Sequence, residues 1–340
     1  MKNSKIKLAI IGYGYWGPNL ARNFNNVEDC EVSYVVDNRQ ERLSLVKKNY
    51  PAIKVTTNFE ETIKDNNVDA VVIATPVFSH YEQAKKALNH GKHVMIEKPM
   101  TDSIDTAQEL IELASKNNRI LMVDHTFLYT GAVRKIKELK EKGELGKIEY
   151  IDSIRINLGL FQGDVNVLWD LAPHDISIIN FILNEKPHSI NTTGISHTKN
   201  DIENIVYLTM HYPSGLIAHI NCSWSSPVKL RHMLIGGDKK MIVYNDLEPT
   251  EKVKVYNTGY EVKSDEDKRK LLVDYRTGDI SIPKLSHKEA LLSVAEDFVN
   301  SVKNNTRPIS NGDIGLSVVE TLEKASKSLK NNGNLVLYNS

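Results

Sequence analysis

The stretch IKLAIIGYGYWGP, Ile6–Pro18, decides the fold of the first part of this chain. It opens with an apolar run, Ile6–Ile11, that predicts a short buried β-strand. Gly12, Gly14 and Gly17 follow directly in the spacing G-x-G-x-x-G, and the proline after them suits the first turn of a helix. We therefore predict a strand, a tight glycine turn and a helix in immediate succession.

This glycine turn is typical of a dinucleotide-binding site, although an ordinary strand-to-helix turn is the alternative for the spacing alone. Glycines allow a tight turn and a close approach of the backbone to a pyrophosphate, and the helix N-terminus attracts phosphate. Asp37 ends the next predicted strand about 20 residues later, where a carboxylate accepts hydrogen bonds from the adenosine ribose. Because Asp37 would repel a 2′-phosphate, we predict NAD as the cofactor, while nearby Arg39 leaves NADP as the less favoured alternative.

Up to about residue 123, short β-branched runs alternate with amphipathic stretches. This alternation is typical of an α/β domain with a doubly wound parallel sheet, the Rossmann arrangement. The predicted strands are Ile6–Ile11, Glu31–Asp37, Lys54–Thr56, Ala70–Thr75, His93–Glu97 and Ile120–Val123. The predicted helices begin near Pro18, Gln40, Glu60, Ser79 and Ser103, with Ser103 as an N-cap, and a further helix covers about Gly131–Lys142.

After Gly146 the hydrophobic period changes towards two, which favours longer, half-buried strands. Alternating apolar residues over 206–212 and 216–224, joined by a Pro-Ser-Gly turn, predict antiparallel neighbours. We therefore expect residues 1–123 to form the Rossmann domain and residues 124–340 an α+β domain with a largely antiparallel, open sheet. The charged segment 246–283 is expected to hold loops and edge strands, and two helices, 287–303 and 312–330, close the chain.

The composition favours a small-molecule partner. The 340 residues are enough for two domains. The chain has 43 basic and 43 acidic residues, so its charge favours neither nucleic acid nor an anionic membrane. Cys30 and Cys222 lie in unrelated segments, which disfavours a disulfide framework or a structural zinc and suits a reducing compartment. Since no run of about 18 apolar residues occurs, we expect a cytoplasmic protein.

Two segments after predicted strands carry polar residues suited to chemistry at the sheet edge. Ala74-Thr75-Pro76 follows the fourth strand at its carboxyl end, where ligands bind in open α/β sheets. Glu97-Lys98-Pro99 follows the fifth strand. Most lysines are solvated, but Lys98 stands between a buried strand and a proline, so we interpret it as a catalytic candidate.

A third segment, Trp169–Asp175, combines a carboxylate and an imidazole. Asp170 and His174 are four residues apart, so they share a face if the segment is helical, and the carboxylate could then orient the imidazole or tune its basicity. The alternative is that Asp170 caps the helix and His174 packs in the core. A metal site would need more ligands than this segment contains, so no metal is predicted.

Taken together, these motifs resemble the Gfo/Idh/MocA family of NAD(P)-dependent sugar and cyclitol oxidoreductases. The resemblance covers nearly the whole chain, and the block from His80 to Pro99 that ends in Glu97-Lys98-Pro99 is its most specific element. It implies a Rossmann domain followed by an α/β domain whose open sheet mediates a homodimer or homotetramer. It also implies reversible oxidation of a secondary alcohol, with hydride passing to the nicotinamide.

The resemblance places Lys98, Asp170 and His174 on catalytic positions, where the neutral imidazole would accept the hydroxyl proton and Lys98 would stabilise the alkoxide. The residues expected to bind the cofactor are Gly12, Tyr13, Gly14, Tyr15, Trp16, Gly17, Asp37, Asn38, Arg39, Ala74, Thr75, Pro76, His80, Glu97, Lys98 and His125. The residues expected to bind the substrate are Lys98, Tyr129, Arg155, Asp170 and His174.

One departure from the family pattern concerns the substrate. Many relatives have an acidic residue three positions after the histidine, where this chain has Ser177 and carries Asp175 instead. The first loop and the segment 168–175 look most like members acting on nucleotide sugars of bacterial surface polysaccharides, so oxidation at C3 of a UDP-N-acetylhexosamine is the leading hypothesis. The alternatives are a dehydrogenase of a free cyclitol, hexose or hexose phosphate, and a non-catalytic dinucleotide sensor.

Overall fold

The structure is a computed structural model that describes residues 5–159, 161, 163, 165–197, 202–261 and 274–338. The chain forms two compact units. The first unit contains Met1–Thr130 and Lys288–Glu323, and the second contains Gly131–His287 and Lys324–Ser340. The expected division is a single boundary after residue 123. In the structure the boundary follows Thr130, and the segment Lys288–Glu323 returns to the first unit.

The first unit is built on a six-stranded parallel sheet of order β3-β2-β1-β4-β5-β6. Its strands are β1 Ile6–Ile11, β2 Cys30–Val36, β3 Lys54–Thr56, β4 Ala70–Ile73, β5 His93–Glu97 and β6 Leu121–Asp124. The helices between them are α1 Gly17–Asn25, α2 Gln40–Asn49, α3 Phe59–Lys64, α4 His80–Asn89 and α5 Ile104–Lys116. The predicted Rossmann arrangement is therefore confirmed, with element ends that lie within two residues of the predicted ones.

Local sequence signals explain where several of these elements begin. Four consecutive residues of β1 and all of β4 are buried, as expected for strands covered on both faces. Asn58 caps α3 by accepting a hydrogen bond from the Glu61 N–H at 3.1 Å. The Ser103 side chain likewise caps α5, which confirms the predicted N-cap.

The second unit contains a nine-stranded sheet of order β16-β13-β12-β11-β7-β10-β9-β8-β17. Its strands are β7 Ile148–Leu158, β8 Ser189–Ile195, β9 Ile205–His211, β10 Ile217–Ser223, β11 Ser225–Gly237, β12 Met241–Asn245, β13 Val253–Tyr256, β16 Ile280–Ser281 and β17 Val336–Leu337. The pair β7–β10 is parallel and the other pairs within the described residues are antiparallel. This confirms the predicted largely antiparallel sheet.

Two helices of this unit, α6 Gly131–Glu141 and α7 Val167–Leu183, pack against each other. The α7 helix also covers one face of the sheet, where Ala218, Ile220 and Cys222 of β10 are buried. The alternation predicted for 216–224 is therefore confirmed, since the side chains between them lie on the opposite face. That arrangement holds the first turns of α7 over the ends of β7 and β10.

The charged segment 246–283 holds short edge strands, as expected. Besides β13 and β16, it contains the two-stranded ladder of β14 Gly259–Glu261 and β15 Asp274–Arg276. Residues 262–273 of the segment lie outside the described residues.

The last two helices are α8 Ala290–Asn304 and α9 Gly312–Lys330, which confirms both predicted helices of this part of the chain, and strand β17 follows them. Helix α8 packs on α1 in the first unit, and the rings of Phe24 and Phe298 meet edge to face at 6.2 Å. Arg22 of α1 also forms a two-pronged ion pair with Glu289. This packing explains why 288–323 belongs to the first unit although it follows the second in sequence.

In the part of the chain that the structure describes, no helix is both long and apolar enough to span a bilayer.

Candidate active site

A cavity of about 550 Å³ lies at the carboxyl ends of β1, β2 and β4 in the first unit. Most of the residues predicted to bind the cofactor contribute to it. Its lining includes Gly12, Gly14, Tyr15, Trp16, Asp37, Asn38, Arg39, Ala74, Thr75 and Pro76. The cavity also contains Phe59 and Gln83, which the sequence analysis did not single out.

The glycine turn has space for a side chain at Gly14 but none at Gly12. Gly12 has a φ of +97°, and a Cβ there would lie 2.6 Å from the Ala74 carbonyl oxygen. Gly14 differs, because a Cβ there would meet only the Arg39 guanidinium, at 3.7 Å. Gly12 thus keeps β1 and β4 close together, and Gly14 leaves open backbone beside the cavity, where a pyrophosphate needs it.

Asp37 is held in place by its neighbours at the end of β2. Its Oδ2 accepts a hydrogen bond from the Tyr13 N–H at 2.7 Å, and its carboxylate forms a two-pronged ion pair with the Arg39 guanidinium at 3.0 and 3.1 Å. Burial alone would raise the pKa of Asp37, but the hydrogen bonds from Arg39 and Tyr13 outweigh it and lower the pKa. The residue is therefore a fixed carboxylate at the cavity wall.

Gln83 and His80 of α4 organise the turn after β4. The Thr75 hydroxyl donates to Gln83 Oε1 at 2.7 Å. The two ring nitrogens of His80 lie 2.8 Å from the Thr75 carbonyl oxygen and 3.0 Å from that of Pro99. Burial lowers the pKa of His80. His80 thus connects the turn after β4 to the segment after β5, and it is buried rather than part of the cavity lining.

The carboxyl ends of β5 and β6 lie side by side, because Glu97, the last residue of β5, pairs with Asp124, the last residue of β6. The predicted residues Lys98 and His125 follow directly. Both carboxyl groups are buried, and burial raises the pKa of each. Burial and the Asp124 carboxylate raise the pKa of Glu97 well above its usual value. Burial, with the Lys98 ammonium group nearby, lowers the pKa of His125 to about 3. The Lys98 ammonium group therefore lies near a neutral histidine and near two buried carboxyl groups.

Tyr129, predicted to contact substrate, is almost fully buried in the first unit. Its hydroxyl donates to Asp297 Oδ2 at 2.6 Å and accepts from the Ser310 N–H at 3.2 Å. Burial and the Asp297 carboxylate raise the pKa of Tyr129 above its usual value. These contacts connect the end of β6 to the segment that returns at 288–323.

Asp170 and His174 both lie in the first half of α7, so the helical spacing on which their pairing was predicted is confirmed. The N-cap is Asn166, whose side chain accepts from the Trp169 N–H at 3.2 Å. The alternative in which Asp170 caps the helix is therefore wrong. Asp170 does not cap the helix, and its Oδ2 accepts a hydrogen bond from the Trp224 indole at 3.0 Å.

Arg155, a predicted substrate-binding residue on β7, forms a buried ion pair with Asp175 of α7. Its guanidinium donates to the two carboxylate oxygens at 2.7 and 3.0 Å, and both side chains are about 5% exposed or less. Removing one partner of such a buried pair typically costs about 3–5 kcal/mol. The pair fixes α7 to the sheet one residue beyond His174.

Within the described residues, no group of three or more His, Cys, Asp or Glu side chains is arranged to hold a metal ion. Cys30 and Cys222 are both free and buried.

Comparisons with known proteins agree with this geometry over both units. A family model described as an oxidoreductase family with an NAD-binding Rossmann fold matches residues 6–125, and a Gfo/Idh/MocA C-terminal domain model matches residues 133–243. The chain belongs to the Gfo/Idh/MocA family. It is therefore an oxidoreductase with an NAD-binding domain, and the family resemblance predicted from the motifs is confirmed.

Several known proteins match almost the full length of the chain. The chain is 22% identical to the myo-inositol 2-dehydrogenase of Thermotoga maritima over 342 residues, 96% of each chain. The structure of UDP-N-acetylglucosamine 3-dehydrogenase GnnA from Acidithiobacillus ferrooxidans matches with a TM-score of 0.80 and 21% identity, covering 96% of this chain and 99% of that one. An Agrobacterium radiobacter oxidoreductase solved with NAD+, L-tartaric acid and magnesium gives 0.82 and 18%, covering 99% of both. At these identities the solved structures establish the fold.

Proposed function

We propose that this protein catalyses the reversible, NAD-dependent oxidation of a secondary hydroxyl group of a nucleotide sugar, at C3 of a UDP-N-acetylhexosamine. The observation that carries the proposal is the placement of Asp170 and His174 four residues apart on α7, with Asp170 not used as the helix cap. The family membership supplies the reaction class, and Lys98 after β5 supplies the third polar group of the family pattern.

The cavity in the first unit fits a dinucleotide. The open backbone at Gly14 and the N-terminus of α1 would hold the pyrophosphate, since the first helical N–H groups have no partner within the helix. Asp37 would accept hydrogen bonds from the adenosine ribose. When bound, NAD supplies a nicotinamide ring that accepts a hydride.

The protein's own residues then have to move a proton and stabilise a charge. As the hydride leaves the sugar carbon, the hydroxyl proton must also leave, and the imidazole of His174 would accept it. The Lys98 ammonium group would stabilise the negative charge that develops on the oxygen. Asp170 would hold the imidazole in position and stabilise its protonated form. In the reverse direction His174 would return the proton to the oxygen.

Two relatives point to two substrate classes. The UDP-N-acetylglucosamine 3-dehydrogenase matches nearly the whole chain in fold, which supports a nucleotide sugar. The myo-inositol 2-dehydrogenase matches 96% of the chain in sequence, which supports a free cyclitol as the second candidate. The pairing of Arg155 with Asp175 leaves the substrate role predicted for Arg155 as a proposal, because two of its three guanidinium nitrogens already donate within the protein.

A substrate panel separates these candidates. The purified protein is incubated with NAD+ and, in parallel, UDP-N-acetylglucosamine, UDP-N-acetylgalactosamine, UDP-glucose, myo-inositol, scyllo-inositol and glucose, and the absorbance of the reduced nicotinamide is followed. We expect turnover of a UDP-N-acetylhexosamine. Turnover of inositols or glucose alone would select the second candidate, and NAD binding without any turnover by this panel would favour a dinucleotide sensor.

We also propose that the open face of the nine-stranded sheet forms an interface with a second copy of this chain. Tyr150, Tyr207, Ile217 and Leu234 are exposed although they are large and apolar. The strand register places all four on the same face, opposite α7. An apolar area of this kind is typical of a contact between subunits, and a homodimer or homotetramer would cover it.

A further inference from the structure

Trp224 joins β10 to β11 and makes one side-chain hydrogen bond to a proposed catalytic residue. Its indole Nε1 donates to Asp170 Oδ2 at 3.0 Å. The two residues are 54 positions apart, so neither the spacing nor the periodicity of the sequence indicates the contact. Trp224 is 1% exposed and thus takes part in the core as well as in this hydrogen bond.

The backbone and packing around Trp224 leave the indole little freedom. The backbone N–H of Trp224 donates to the Asn204 carbonyl oxygen at 2.9 Å, and the Trp224 carbonyl oxygen accepts from the Gly159 N–H at 3.0 Å. A Cβ at Gly159 would lie only 2.8 Å from Trp224 Cδ1, so the ring packs directly against the backbone after β7. The indole is therefore a rigid donor, fixed before any ligand binds.

We infer that Trp224 is a positioning residue that sets the orientation of the Asp170 carboxylate, and through it that of His174. This inference rests on the proposed function. An indole N–H can donate but not accept, so it selects one carboxylate oxygen and one side-chain orientation. By holding Oδ2, the indole N–H also restricts where the second carboxylate oxygen, Oδ1, can lie. A hydrogen bond to a charged acceptor is among the stronger ones in proteins.

The second tryptophan at this end of α7 provides a matched control. Trp169 also donates one indole hydrogen bond, to the Ser326 hydroxyl at 2.8 Å. A Trp→Phe substitution at either position deletes an indole N–H and keeps an aromatic ring. The two variants therefore differ chiefly in the acceptor that loses its donor, a carboxylate of the proposed catalytic group in one case and a serine in the other.

The first test is kinetic, with UDP-N-acetylglucosamine as substrate, or myo-inositol if that is the compound turned over. We expect Trp224→Phe to lower kcat by about 10-fold or more, the loss expected for one hydrogen bond to a charged group, and to leave the KM for NAD+ within about twofold. Trp169→Phe should keep kcat within about twofold. In an Asp170→Asn background, Trp224→Phe should lower kcat little further, because the carboxylate that it positions is gone.

The second test needs no substrate. The chain has three tryptophans, so three indole N–H signals are expected in a ¹⁵N spectrum of the protein. Trp224→Phe and Trp169→Phe assign two of them. Asp170→Asn should then shift the Trp224 signal, whose acceptor changes from a carboxylate to an amide, and leave the Trp169 signal in place.

The outcomes separate this inference from the proposed function. Normal activity of Trp224→Phe, an equal loss with and without Asp170, or an unmoved Trp224 indole signal in Asp170→Asn would each overturn the role of Trp224 and leave the proposed reaction standing. Wild-type activity of both Asp170→Asn and His174→Ala would instead overturn the proposed function.

Discussion

The predicted preference for NAD over NADP depends on Asp37 and Arg39, and substitution of Asp37 should reverse it. The carboxylate is fixed at the cavity wall and occupies the Arg39 guanidinium with two hydrogen bonds. Asp37→Asn removes a negative charge that would repel a 2′-phosphate, and it frees Arg39 to approach that phosphate. Both effects favour NADP relative to NAD.

The size of the change follows from the geometry and from solvent screening. Two unit charges about 5 Å apart interact by about 3 kcal/mol at an effective dielectric constant of about 20. The Arg39 side chain is 48% exposed, however, so screening reduces this figure. We expect the ratio of the Kd values for NADP and NAD to change by about 1–2 kcal/mol, or about 5- to 30-fold, in favour of NADP.

Isothermal titration calorimetry of both dinucleotides, at one pH and one ionic strength, measures the ratio directly. Glu41→Gln is the matched control, because it removes an exposed negative charge from the first turn of α2. That variant should leave the ratio within about twofold of the wild-type value. If Asp37→Asn left the ratio unchanged, or moved it towards NAD, the assignment of Asp37 as the residue that selects NAD would be refuted.

Three further predictions concern the reaction, the stability and the assembly. His174→Ala and Lys98→Ala should each lower kcat by roughly 100-fold or more with little change in the Kd for NAD, and normal turnover by both would contradict their catalytic assignment. The raised pKa of Glu97 means that the folded state keeps a proton that the unfolded state loses, so this contribution to stability is complete below the unfolded pKa and disappears as pH rises through the folded one. The Tm of the wild type should therefore fall more steeply than that of Glu97→Gln as pH rises above the usual glutamate pKa of about 4.5, and parallel curves for the two proteins would rule out the raised pKa of Glu97. Leu234→Lys on the open sheet face should shift the protein towards monomers in light scattering, whereas Leu45→Lys, at a somewhat more exposed leucine on α2, should not. If neither variant dissociated the protein, this face would be excluded as the interface.

Local patterns were enough to predict the N-terminal half of the fold. Buried apolar runs such as Ile6–Ile11 and the glycine turn after it act over a few residues, and the chain there alternates strand and helix. The spacing of Asp170 and His174 likewise depends only on one helix. The structure confirms these features because short-range periodicity determines them.

Contacts between distant segments could not be predicted in the same way. The Arg155–Asp175 pair depends on how α7 lies on β7, and the Trp224–Asp170 hydrogen bond on the turn between two later strands. The pairing of Glu97 with Asp124 follows from the register of parallel strands, which neither strand encodes alone. Residues 288–323 return to the first unit because the amphipathic helix α8 packs there. An amphipathic pattern predicts a buried face but does not indicate which element covers that face.

The proposed reaction is tested most directly by following the hydrogen atom that is transferred. UDP-N-acetylglucosamine carrying deuterium at C3 is incubated with the wild-type protein and NAD+, and the reduced cofactor is analysed by mass spectrometry and NMR. The proposal predicts one deuterium at C4 of the nicotinamide and a 3-oxo sugar as the product. Reduced cofactor without deuterium, or oxidation at another carbon, would contradict it.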